Sequence, residues 1–97
     1  MELVFHRLIE KDLRSVMSYY EQEVGPELSK RFYDEFERVV EAVVENPQRF
    51  HVVSGSLRRA NFRRFPYHIL FRETADGLRV LVLRHHRRAP GFGQGRR

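Results

Sequence analysis

FRRFPYHILFRETADGLRVLVLRHHRR, running from Phe62 to Arg88, contains two apolar runs, Tyr67 to Arg72 and Leu78 to Leu83. Between them stands Ala75-Asp76-Gly77, where the glycine supplies the positive φ that a tight hairpin turn needs. The stretch predicts an antiparallel hairpin of Tyr67–Thr74 and Leu78–His85. Arginine and histidine crowd both of its ends, so the ribbon presents dense positive charge to something negative.

Outward from the hairpin, the preceding segment Leu57 to Arg64 reads as a further strand, with Phe62 inside and arginines outside, interrupted by Pro66. Near the N-terminus, Leu3, Val4 and Phe5 form a short apolar run that predicts a first strand. Ile9, Leu13, Val16, Met17, Tyr20 and Val24 then recur at helical spacing, and Gly25-Pro26 breaks that helix. Pro26 fits the first turn of a second helix, where its missing N–H costs little. Leu28, Phe32, Phe36, Val39, Val40 and Val43 give this second helix an apolar stripe as far as Glu45. Its acids, Glu27, Asp34, Glu35, Glu37 and Glu41, read as a solvated face. Asn46-Pro47 ends it, because a residue before proline avoids the helical region. Gln48 to Ser56 reads as a loop with Phe50 and Val52 anchored in the core, and Phe5, Phe32, Phe36 and Phe71 read as core. The expected order is β-α-α-β-β-β: an α+β fold whose antiparallel helical hairpin packs on one face of a mostly antiparallel sheet.

Composition bounds the function. Ninety-seven residues predict one domain with one small core. The chain has no cysteine, which removes disulfides, thiolate metal sites and cysteine nucleophiles and suits a reducing compartment. No apolar run approaches a membrane span and no signal-peptide core is seen, so a soluble cytoplasmic protein with no membrane partner is expected. The net charge of +5 is unevenly spread. Residues 1–56 carry seven Lys or Arg against eleven Asp or Glu, whereas residues 57–97 carry eleven arginines against only Glu73 and Asp76. Arginine, which makes planar bidentate contacts to phosphate and carboxylate, is the basic half's only cationic residue type apart from histidine.

The candidate functional residues are Arg58, Arg59, Arg63, Arg64, His68, Arg84, His85, His86, Arg87 and Arg88. Cleavage of RNA through its own 2′-hydroxyl needs a base, an acid and cations to hold phosphate charge, and a His/Arg cluster contains all three. Against this, neighbouring strand residues point to opposite faces, so one of His85 and His86 is expected to be structural. His68 sits inside an apolar run and is expected to be half-buried. A His-His pair lacks the ligand count of a metal site. No Gly-rich phosphate loop, Ser-His-Asp order or nucleotide fingerprint is present, and no metal or cofactor is expected.

The sequence resembles the RelE/ParE family of toxins. The resemblance rests on Glu45-Asn46-Pro47-Gln48-Arg49-Phe50 closing the second helix and on Arg63-Arg64-Phe65-Pro66-Tyr67-His68-Ile69-Leu70-Phe71. It rests above all on Val80-Leu81-Val82-Leu83 followed by Arg84-His85-His86-Arg87-Arg88. It spans nearly the whole chain, from Leu3 to about Pro90, and implies a toxin domain over residues 1–90; beyond it the glycines and arginines of residues 91–97 read as a flexible basic tail. It further implies neutralisation by a cognate antitoxin with an acidic, partly disordered C-terminal segment.

The family divides by activity, and the resemblance carries three expectations. The first is a ParE-like growth inhibitor that binds DNA gyrase, with Arg58, Arg59, Arg63, Arg64, Arg84 and Arg88 as target- or phosphate-binding residues. The second is a RelE-like endoribonuclease that cuts messenger RNA on the ribosome without metal, with His85, His86 and Arg87 as catalytic residues. In the nuclease pattern an arginine stands where this chain has His68. A functional tyrosine follows the last strand in some nuclease members; Phe92, without a hydroxyl, is the aromatic in that region here. The third is an inactive homologue that works only through antitoxin binding.

Overall fold

The computed structural model describes residues 2–97. The chain forms β1 (Glu2–Phe5), α1 (Ile9–Glu23), α2 (Pro26–Glu45), a 3₁₀ turn (Pro47–Arg49), β2 (His51–Ser54), β3 (Leu57–Asn61), β4 (Tyr67–Thr74) and β5 (Gly77–His85). The strands make one sheet in the order β1-β5-β4-β3-β2. All pairings are antiparallel except β1 with β5. A parallel pair cannot be joined by a tight turn: the helical hairpin carries the chain from β1 across to β2 at the far edge, and β3 and β4 bring it back to β5 beside β1. The order is therefore the expected one with an added edge strand: β2 occupies part of the segment read as a loop. Four residues with both Val52 and Val53 exposed give no alternation to read, so only pairing with β3 defines the strand.

The helices cover one face of the sheet. Phe32, Phe36, Val39, Val40 and Val43 of α2 pack with Ala60, Phe62, Ile69, Phe71, Val80 and Leu83. Phe32 is fully buried and sits among the rings of Phe62, Phe65, Tyr67 and Tyr20, with centroids 5.0–5.8 Å away. Three expected core positions lie elsewhere. Phe5 is 42% exposed on the edge strand, and Val52 is 43% exposed on the opposite edge. Val24 caps the end of α1 and is 70% exposed. Phe50 does reach the core, edge-on to Phe71 at 5.8 Å. Glu35, read as part of a solvated face, is 6% exposed, and its carboxylate accepts the main-chain N–H groups of Arg63 and Arg64.

A bulge in β5 sets which residues share a face. Leu70 opposes Val82 and Phe71 opposes Val80, so Leu81 is the extra residue. Leu81 and Val82 both lie with Leu57 and Leu70 in a second apolar cluster on the face away from the helices. Beyond the bulge, Leu83 packs under the helices, and alternation places Arg84 and His86 on the open face and His85 on the helix side. Residues 91–97, expected to be a flexible tail, lie along that second cluster. Phe92 packs on it, and Gly93 (φ +78°) approaches Val82 so closely that a Cβ there would lie 2.6 Å from Cγ2. Arg96 donates to the Asp12 carboxylate at 2.6 and 3.2 Å, which ties the tail to α1.

Gly77 opens β5 at φ +153°, and a Cβ there would fall 2.0 Å from the main-chain oxygen of Glu2. Gly77→Ala is therefore expected to push β1 away and lower stability by about 2 kcal/mol. The same change at Gly91, which has open space around it, should leave the thermal midpoint unchanged. Faster amide exchange in β1 of the Gly77 variant is the local signature; unchanged melting of that variant would show that the close approach is not constraining.

Candidate binding face

The register of β3, β4 and β5 brings the candidate residues together on the open face. Asn61 opposes His68, and His68 opposes Arg84. With Arg59, two residues before Asn61, and His86, two after Arg84, they form one hydrogen-bonded group. Arg84 Nε donates to His68 Nε2 at 2.9 Å. His68 Nδ1 and His86 Nδ1 are 2.9 Å apart, their rings stacked at 5.1 Å. Arg59 reaches His86 Nδ1 at 3.1 Å and Asn61 Oδ1 at 2.7 Å.

These contacts assign the tautomers. A guanidinium N–H can only donate, so His68 Nε2 accepts and the ring carries its proton on Nδ1. That proton points to His86 Nδ1, which also accepts from Arg59. His86 therefore carries its own proton on Nε2. Both rings are neutral. Burial and the flanking Arg59 and Arg84 charges, with smaller effects of His86 and His85, push the His68 pKa down to about 3. Partial burial, Arg59 and His85 lower that of His86. On the helix side, His85 Nδ1 accepts the Arg87 main-chain N–H at 3.0 Å, and its ring stands edge-on to Tyr67 at 5.0 Å. In all three imidazoles the basic nitrogen is occupied.

The remaining candidates separate into distinct places. Arg58 and Arg84, both counted among the phosphate-binding candidates, are committed to main-chain carbonyls. Arg58 donates to the oxygens of Gln48 (3.2 Å) and Phe50 (2.7 Å), fixing the approach to β2. Buried Arg84 donates to those of Pro90 (2.6 Å) and Phe92 (2.9 Å), fixing the tail. Arg88 lies 4.0 Å above the Phe92 ring. Arg87 is exposed. Arg63 and Arg64 lie at the corner between β3 and β4, near α2 rather than in the histidine group. His68, expected to be half-buried, is 1% exposed and central to the group. Asn61 carried no signal of its own; its place opposite His68 follows only from the register.

Away from this face, Leu3, Phe5, Leu13, Tyr33, Phe36 and Val40 line an apolar groove of about 560 Å³ between β1 and the helical hairpin. Among the described residues β1 pairs with β5 alone, which leaves its outer edge beside that groove without a strand. Among the described residues no helix is long and apolar enough to cross a membrane, and no cluster of His, Asp or Glu could hold a metal ion.

The helical hairpin and the five-stranded sheet make a small α+β fold with arginine and histidine on its open face. Comparison with known proteins narrows the class. The family model for the ParE toxin of the type II toxin–antitoxin system parDE matches residues 3–90. Toxin ParE2 of Mycobacterium tuberculosis, from strains CDC 1551 / Oshkosh and ATCC 25618 / H37Rv alike, is 28% identical over 81 residues, covering 82% of this chain and 76% of the relative. A solved structure of the chromosomal ParDE TA system from P. aeruginosa superposes with a TM-score of 0.78 at 18% identity, covering 88% of this chain and 95% of that one. The chain belongs to the ParE toxin family of type II toxin–antitoxin systems.

Proposed function

We propose that the protein is a growth-inhibiting toxin that acts by binding DNA gyrase in the cytoplasm and is neutralised by a cognate antitoxin. The observation that carries this reading is the occupied basic nitrogen of each of His68, His85 and His86. A general base needs a free lone pair within reach of the substrate proton. Here each lone pair already accepts an N–H. Arginine stays protonated and cannot take that role. Phe92 brings no hydroxyl. What remains is a positive surface around Arg59, Arg87 and Arg88 suited to holding a partner. The apolar groove beside the free β1 edge suits an antitoxin segment that adds a strand and inserts apolar side chains.

The nuclease reading keeps one observation in its favour: Arg59 and the outward Nε2–H of His86 form a paired donor on the open face. The test is induction of the chain alone in bacteria, with pulse labelling of protein synthesis and a supercoiling assay on purified gyrase. Synthesis should continue through the first minutes while supercoiling is blocked and cells filament. His86→Ala should keep inhibition within about tenfold, whereas a lost acid–base group reduces turnover roughly 10²–10⁴-fold. Prompt arrest of synthesis, abolished by His86→Ala, would overturn the binding mechanism in favour of messenger cleavage.

A further inference from the structure

Four arginines from three separate elements meet at one recess, and none of them forms an ion pair among the described residues. Arg38 of α2, Arg49 of the 3₁₀ turn, and Arg63 and Arg64 of the β3–β4 corner line one recess of about 620 Å³. Among the described residues the ion pairs are Arg14–Glu10 and Arg96–Asp12, so none of these four guanidinium groups is paired. Glu35 is the one acid in the recess wall. Its carboxylate is buried and accepts the N–H groups of Arg63 and Arg64, so it holds the corner's main chain rather than the guanidinium groups. Four like charges facing a common space repel one another, and an anion between them relieves that repulsion.

We propose that this recess binds the phosphodiester backbone of a nucleic-acid strand. Two features favour phosphate over an acidic peptide. Arginine is the only cation present, and its planar fork matches phosphate oxygens bidentately. Arg49 lies over the Phe50 ring at 5.0 Å, which presents a flat cationic face of the kind on which an unstacked base rests. The recess is separate from the apolar groove and shares none of its lining residues. It is also independent of the gyrase reading, since the test contains no gyrase.

The experiment is fluorescence anisotropy with labelled oligonucleotides of one sequence as single-stranded DNA, duplex DNA and RNA, titrated with the full chain at several salt concentrations. The comparison is between Arg38→Gln/Arg49→Gln and a charge-matched control, Arg79→Gln/Arg97→Gln, at exposed positions outside the recess. The recess variant should bind roughly tenfold more weakly for each arginine removed, and its salt slope should fall by about two. The control should keep both values. Whichever oligonucleotide binds most tightly identifies the source of the backbone. Equal losses in both variants would reduce the effect to overall charge and overturn the site. So would binding to none of the oligonucleotides, or displacement by poly-glutamate as effective as by nucleic acid at equal charge.

Discussion

Acidification from pH 7.5 to pH 4 should cost this protein about 3 kcal/mol of stability that a His68→Gln variant does not lose. His68 is surrounded by Arg59 and Arg84 with His86 and His85 close by, and it is buried among them. In the folded chain it takes a proton only near pH 3, whereas in the unfolded chain it does so near 6.5. Below 6.5 the unfolded state therefore binds a proton that the folded state refuses. The stability held in the neutral ring is complete above pH 6.5 and is lost as pH falls toward 3, at up to about 1.4 kcal/mol per pH unit. His86 and His6, whose pKa values are also lowered, add a slope of the same sign. They remain in the variant, so the difference between the two proteins isolates His68. Glutamine can still accept from Arg84 Nε without titrating. Urea unfolding of both proteins across the range is the measurement; a difference that does not change with pH would mean that His68 is not held neutral.

This buried ring marks the limit of what the sequence discloses. The helix ends at Gly25-Pro26 and Asn46-Pro47 and the hairpin around Asp76-Gly77 are written locally, in residues whose backbone preferences act within a few positions. The α2 stripe and the apolar runs of β4 and β5 repeat often enough to assign faces. The bulge at Leu81 is different. Nothing in Val80-Leu81-Val82-Leu83 marks which residue is extra, yet that residue determines that Arg84 and His86 meet His68 while His85 turns to Tyr67. Sequence alternation separates His85 from His86 without saying which joins the arginines. Likewise the tail reads as loose because its three glycines, following Pro90, carry no apolar pattern. Its anchors, Arg96 to Asp12 and Phe92 to the Leu70–Val82 cluster, come from residues far apart in the chain. Charge counting found the basic half, but it could not foresee that Arg58 and Arg84 serve main-chain carbonyls while Arg38 and Arg49, from the acidic half, complete the recess.

Glu35→Ala should lower stability by about 3 kcal/mol, more than any change at the exposed acids of α2. The helical pattern alone classes Glu35 with Glu37 and Glu41, which are exposed. Its position is set instead by the corner that follows β3. There the Arg63 and Arg64 N–H groups have no strand partner, and the Glu35 carboxylate accepts both, with contacts to Arg64 at 3.2 and 3.3 Å. Hydrogen bonds to a charged acceptor contribute about 1.5–3 kcal/mol each, and deleting the acceptor leaves two donors half-shielded from water. Partial access of solvent to the corner holds the expected loss to the lower part of the combined range. Glu35→Gln keeps one acceptor oxygen and the side-chain volume, so it should lose about half as much. Amide exchange at residues 63 and 64 should accelerate in the alanine variant before exchange in β4 does, because the corner can open without unpairing the sheet. Chemical denaturation that finds Glu35→Ala as stable as the parent would show that water replaces the carboxylate at no cost. If the losses appear in the stated order, the carboxylate is the fastener that places Arg63 and Arg64 beside Arg38. An acid in a recess lined by four arginines then holds cations in position without neutralising them.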